Sequence, residues 1–288
     1  MSVFSRIHTF GRMIKFSHSV FALPFALAGA TLASVQHGIG WEQVVWIIVA
    51  MVSARSAAMG FNRLVDRDVD ALNPRTKNRE LPRGVMAPGS VALFIVVAAV
   101  AFLFAAYRLN PLCLLLAPVA LAVILSYSYF KRFTWASHFF LGLALGIAPM
   151  GAWIAVTGTI RPEPLLLTLA VLTWVAGFDI IYACQDYAFD SERGLFSIPQ
   201  RIGVRNALTA ARLLHVVTIA ALLAIKWVFG LHLIYLTSVL AVTAILIYEH
   251  TLVRHDDLSK VNLAFFTTNG VISVVYFMGV LGDVWMAP

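Results

Sequence analysis

The sequence predicts an all-α polytopic membrane protein, nine transmembrane helices bundled around a central cavity. Three observations predict it. Hydrophobic residues make up 60% of the 288 positions and charged residues only 12%, against roughly 25% charged in ordinary soluble domains. The apolar residues fall in long blocks, each close to the roughly 20 residues a helix needs to cross a bilayer. The basic residues collect in alternate loops between those blocks, the pattern of orientation signals.

In chain order, a short basic amphipathic lead at 1–15 precedes spans at about 17–36, 41–61, 90–108, 111–130, 135–157, 164–184, 206–229, 232–252 and 261–282. The first apolar run is of full length and lacks a small-residue cleavage site, so it reads as a span and not as a removable signal. Loops on one side carry Arg6, Arg12 and Lys15, then Arg63, Arg67, Arg75, Lys77, Arg79 and Arg83, then Lys131 and Arg132, then Arg193, Arg201 and Arg205, then Arg254 and Lys260. The other side carries Arg108, Arg161 and Lys226. This bias places the N-terminus in the cytoplasm and the C-terminus outside, so the span number is odd. The net charge of +7 therefore reports orientation, not a nucleic-acid-binding face. Cys113 and Cys184 both lie in apolar segments, which implies no disulfide framework. Pro24, Pro118 and the run from Gly142 to Trp153 suit close helix packing, or kinks that line a cavity. A single domain, 1–288, is the simplest organisation.

Two stretches on the same side carry the chemistry. Asn62 to Gly84 reads NRLVDRDVDALNPRTKNRELPRG; Asn62, Asp66 and Asp70 are four apart and stack on one helix face. Asp179 to Gly203 begins DIIYACQDYAFDSERG; Tyr182, Asp186 and Asp190 are four apart, and Asp179 joins them at seven. The two copies form a faint repeat, Asp-x-x-x-Asp followed by Leu81-Pro82-Arg83-Gly84 or by Ile198-Pro199-Gln200-Arg201-Ile202-Gly203. In a pseudo-symmetric bundle their acidic faces would confront each other. Of 14 acidic residues, Asp66, Asp68, Asp70, Glu80, Asp179, Asp186, Asp190 and Glu192 fall here. Solvation and capping account for Asp68 and Glu80. They do not account for repeated four-residue spacing, which stacks like charges unless cations sit between them. Bound Mg²⁺, held by Asn62, Asp66, Asp70, Asp186 and Asp190, would remove that repulsion and leave positions for phosphate oxygens. Arg79, Lys131 and Arg201 are the candidates for direct phosphate contact; the Lys131-Arg132 pair is also explained as an orientation signal.

With these residues in view, the chain resembles the UbiA superfamily of intramembrane prenyltransferases. The resemblance rests on the Asn62/Asp66/Asp70 motif with its Asn-Pro-Arg-Thr-x-Asn-Arg-x-Leu-Pro continuation at Asn73 to Pro82, on the Asp186/Asp190 motif preceded by Tyr182-Ala183, and on the nine spans. It covers nearly the whole chain. Many members have Asn-Asp where this chain has Asn62-Arg63. The resemblance implies transfer of a polyprenyl group from polyprenyl diphosphate to a small aromatic acid, with Mg²⁺, at the cytoplasmic face of the inner membrane. It is nearest to the 4-hydroxybenzoate polyprenyltransferase group of ubiquinone biosynthesis, with prenylation of 1,4-dihydroxy-6-naphthoate for menaquinone as the alternative. The chemistry suits the residues. An allylic diphosphate ionises when its leaving charge is neutralised, and an apolar bundle shields the cation and houses the isoprenoid tail.

Arg55 lies seven before Asn62 on the same face, deep in an apolar span, where a cation needs a partner. Two partners fit equally: the carboxylate of an aromatic acid, matched by the guanidinium fork, or one of the motif carboxylates. His18, His138, His215 and His232 have no ligand spacing and read as interfacial or core residues. A phosphatidyl-alcohol transferase would need Asp-Gly and Ala-Arg signatures that the sequence lacks. An organic-acid or ion transporter would place its acids near the midplane, whereas these lie at span ends.

Overall fold

The computed structural model describes residues 9–14 and 21–286, whose regular structure is helical apart from one isolated bridge between Arg254 and Asp257. The long helices are α1 Leu23–His37, α2 Trp41–Val65, then after the short α3 Arg67–Leu72, α4 Pro88–Leu109, α5 Pro111–Phe130, α6 Ser137–Thr157 and α7 Leu165–Ala183. The short α8 Tyr187–Arg193 leads into α9 Ile198–Phe229, α10 Leu233–Leu252 and α11 Asn269–Met286. Proline in the first turn, where no helical N–H is lost, opens α1, α4, α5 and α9.

Eight of the described helices are long and apolar enough to cross a membrane, not nine. The difference lies at the first expected span, 17–36. Its described part, α1, has 15 residues, and 15–20, like most of the basic lead, falls outside the described residues.

Neighbours in sequence are neighbours round the bundle, and α11 closes the ring by packing against α1. α1 also crosses to α6. Two contacts are close because glycine leaves no Cβ between backbones: a side chain at Gly29 would strike the Pro149 carbonyl of α6, and one at Gly142 the Leu172 carbonyl of α7. The main core packs Phe25, Trp174, Tyr235, Leu246 and Tyr276 between α1, α7, α10 and α11. The opposite flank is looser: α1, α2, α4, α5 and α6 surround an apolar cavity of about 360 Å³.

The second acidic stretch is not the single straight helix that its spacing predicts. α7 tightens into a 3₁₀ turn at Cys184–Asp186 before α8, and such a turn advances each residue further round the axis than an α-turn does. Gly194 then ends α8 in the left-handed region, at φ 65°. The faint repeat extends to the backbone: Gly84 and Gly203, its two terminal glycines, have φ of 67° and 79°.

A candidate active site between the acid-rich stretches

At the end of α2 the helical register survives a distorted residue. Asp66 leaves α-geometry, with φ −89° and ψ 1°, yet its N–H still donates to the Asn62 carbonyl at 2.9 Å and the Asp70 N–H to the Asp66 carbonyl at 2.7 Å. Asn62, Asp66 and Asp70 therefore share a face as their spacing predicts, and Asn62 Nδ2 donates to Asp66 Oδ2 at 2.9 Å. Arg63, next to Asn62, reaches toward the start of the chain. It is buried, and its Nε donates to the Met13 carbonyl at 3.3 Å, tying down the N-terminal turn.

The loop after α3 brings the first stretch to the second. Asn73 Nδ2 donates to Asp186 Oδ1 at 3.1 Å, and Arg75 grips the same carboxylate through Nε at 3.0 Å and Nη2 at 2.5 Å. Arg75 Nη1 donates to the Tyr182 hydroxyl at 2.8 Å. Arg79 Nη1 reaches both oxygens of the buried Asp70, at 2.7 and 2.6 Å. From the loop after α5, Arg132 lies 3.3 Å from Asp66 and Lys131 Nζ 2.9 Å from the fully buried Asp190. Each motif carboxylate thus faces its own cation. Burial, and then the neighbouring Asp70 carboxylate, push the Asp66 carboxyl above its usual range despite the opposing pull of Arg132.

Asn62, Asp66, Asp70, Arg79, Lys131, Asp179, Tyr182 and Asp186 line one cavity of about 290 Å³. Asp66 and Asp186, 120 positions apart, look into the same hollow. Arg55, Met59, Tyr127, Leu141 and Leu145 line both this polar cavity and the apolar one, so the two meet there. Arg55 Nε is buried without a partner, and no ion pair joins Arg55 to a motif carboxylate among the described residues. Asp179 pairs instead with His138, at 2.7 Å. Opposite, a π-turn at Ala264–Thr268, braced by Asn269 Nδ2 on two of its carbonyls, presents Phe265 and Phe266 to the cavity; the Tyr182 ring lies 4.1 Å from that of Phe265.

Arg201 is not brought to this group. Ile198 and Pro199 take the buried side of the first turn of α9, leaving Arg201 exposed with its guanidinium 4.6 Å from the Trp135 ring. The spacing also passes over Asn73, Arg75, Arg132 and His138 as site residues. Asn73 and Arg75 sit inside the Asn-Pro-Arg-Thr segment, but nothing in that segment says which arginine meets which carboxylate.

The donor set suits a hard divalent cation. Carboxylate oxygens from both stretches, with the Asn62 amide, face one hollow, and Arg and Lys nitrogens alternate with them. No three acidic, His or Cys side chains among the described residues converge closely enough to enclose a metal by themselves, so phosphate oxygens or water would have to complete its shell.

A model of the UbiA prenyltransferase family matches residues 22–271. The chain belongs to the UbiA prenyltransferase family. Among curated UbiA relatives, the 4-hydroxybenzoate octaprenyltransferase of Vibrio parahaemolyticus is 30% identical over 246 residues, 85% of this chain and 86% of that protein. A solved UbiA homolog from Aeropyrum pernix K1 matches with a TM-score of 0.85 and 31% identity, over 93% of this chain and 98% of that one. A UbiA homolog from Archaeoglobus fulgidus, bound to GPP and Mg²⁺, shares the fold with a TM-score of 0.74 at 20% identity, over 96% and 99% of the two chains.

Proposed function

We propose that this prenyltransferase moves a polyprenyl group from polyprenyl diphosphate to a small aromatic acid of the 4-hydroxybenzoate type, with Mg²⁺, for respiratory quinone synthesis. One observation carries the reading: Asp66, Asp70 and Asp186, from two distant stretches and each paired with an arginine, face one polar cavity that opens into an apolar one. The polar cavity suits a diphosphate and the apolar cavity its tail. The relative named as a 4-hydroxybenzoate octaprenyltransferase supports the acceptor class, and the homolog bound to GPP and Mg²⁺ supports the donor and the metal.

Asn62, Asp66, Asp70 and Asp186, which line the polar cavity, are the residues that would hold Mg²⁺, which when bound supplies positive charge to a departing diphosphate; Asp190, expected with them, is fully buried outside that lining and faces Lys131. Arg75, Arg79, Lys131 and Arg132, freed from those carboxylates, would hold the remaining phosphate oxygens. Arg55, a buried cation at the junction of the cavities, would take the carboxylate of the aromatic acid. The absence, among the described residues, of an ion pair between Arg55 and a motif carboxylate favours that role over a structural ion pair. Phe178, Phe265 and Phe266 wall the polar cavity and keep water from the allylic carbon, which would bond the ring carbon beside the phenolic hydroxyl. The basic residues of the loops at this end of the bundle support a site at the cytoplasmic face of the inner membrane.

Membranes carrying the protein, given labelled polyprenyl diphosphate, Mg²⁺ and 4-hydroxybenzoate, should form a prenylated acid. Transfer should stop with EDTA and return with added Mg²⁺. A parallel arm with 1,4-dihydroxy-6-naphthoate decides the acceptor, and failure with both acids overturns the reading.

A further inference from the structure

We propose that His138 positions Asp179 to accept a hydrogen bond from the hydroxyl of the aromatic acceptor; this rests on the function proposed above. His138 opens α6 and is 3% exposed. Its Nε2 accepts from the Ile198 N–H at 3.2 Å. An amide N–H can only donate, so Nε2 carries no proton and the ring proton of the neutral imidazole sits on Nδ1. Nδ1 therefore donates to Asp179 Oδ2, at 2.7 Å. Three helices fix the ring: α6 bears it, α9 supplies the amide from its capped first turn, and α7 supplies the carboxylate.

Asp179 differs from the four motif carboxylates. Asp66, Asp70, Asp186 and Asp190 each face Arg or Lys, a counter-charge that phosphate can take over. The partner of Asp179 among the described residues is an uncharged ring, bonded to one oxygen. Oδ1 is left to accept, and the side chain, 23% exposed, lines the polar cavity. A carboxylate half-satisfied in such a place calls for a second donor. Asp179 lies seven residues before Asp186, about two turns deeper in the bundle, and shares its cavity with Arg55. An aromatic acid with a carboxylate at one end and a hydroxyl at the other presents the complementary pair. A hydroxyl that donates to a carboxylate enriches the ring carbon beside it, the position that would attack the allylic carbon.

The test uses purified full-length protein with polyprenyl diphosphate, Mg²⁺ and 4-hydroxybenzoate. His138→Leu should lower kcat/KM for the aromatic acid by roughly tenfold to a hundredfold, the range for losing an orienting partner. KM for the diphosphate should stay within about twofold, since no phosphate-facing group is touched. His138→Asn, whose amide nitrogen reaches the place of Nδ1, should recover most of the loss. In an Asp179→Asn background, His138→Leu should cost nothing further, because groups acting through one another are non-additive. Where His138→Leu does not fold, Asp179→Asn alone, with the same split between the two substrates, carries the test. Additive losses in the double variant, no rescue by Asn, or equal effects on both substrates would overturn the proposal. Absence of transfer by the wild type would overturn the functional reading instead.

Discussion

Substituting Arg75→Gln tests the charge arrangement most directly. The guanidinium holds both oxygens of Asp186 and also the Tyr182 hydroxyl; glutamine removes the charge and the fork. Taking one partner from a buried ion pair costs about 3–5 kcal/mol. The Arg75 side chain is 29% exposed and that of Asp186 only 7%, so water compensates part of this and about 2 kcal/mol remains. At about 2–4 °C per kcal/mol the midpoint should fall by roughly 4–8 °C, read by thermal denaturation of detergent-solubilised protein without ligands. Asn73 remains bonded to Asp186 Oδ1 and keeps the carboxylate in place. Adding Mg²⁺ with inorganic pyrophosphate gives Asp186 a new counter-charge, so the ligands should raise the variant's midpoint more than the wild type's. Identical midpoints without ligand, or equal rises in both proteins, would refute the reasoning.

Asp66→Ala and Asp190→Ala should each lower transfer by at least about a hundredfold. Membrane yield should stay near normal, because their partners Arg132 and Lys131 are each 38% exposed and rehydrate; wild-type turnover in either variant refutes the assignment. Arg55→Lys keeps the charge but loses the fork, and should raise KM for the aromatic acid about tenfold while leaving KM for the diphosphate alone. An unchanged KM for the acid discards the carboxylate role. Gly142→Ala drives a methyl against the Leu172 carbonyl and should cost about 1–3 kcal/mol, seen as a lower unfolding temperature; an unaltered temperature means that α6 and α7 are not in backbone contact.

The helical class and both acidic stretches were legible in the sequence because each rests on one-dimensional regularity: apolar blocks of bilayer length and carboxylates at helical spacing. The Asn62, Asp66 and Asp70 face survives intact, since the hydrogen bonds across Asp66 keep their i to i−4 pattern. In the second stretch a 3₁₀ turn intervenes, which no residue at Cys184–Asp186 announces; Asp179 and Asp186 nevertheless line one cavity, and Asp190 is fully buried outside that lining. The choice of Arg75 for Asp186 and Arg79 for Asp70 depends on the path of an irregular loop, to which periodicity is blind. His138 has no sequence neighbour that marks it; its partners come from two other helices. Arg201 was expected at the phosphate from its place in the repeat, and the packing of Ile198 and Pro199 turns it outward.

The backbone contacts at Gly142 and Gly146 leave α6 and α7 no side-chain slack to slide past each other. The pair behaves as one plank, which keeps His138 and Asp179 in step whatever the rest of the bundle does. A long lipid cannot slip in or out through that seam. On the opposite flank the packing is open enough that Val119 on α5 both lines the apolar cavity and stands 62% exposed.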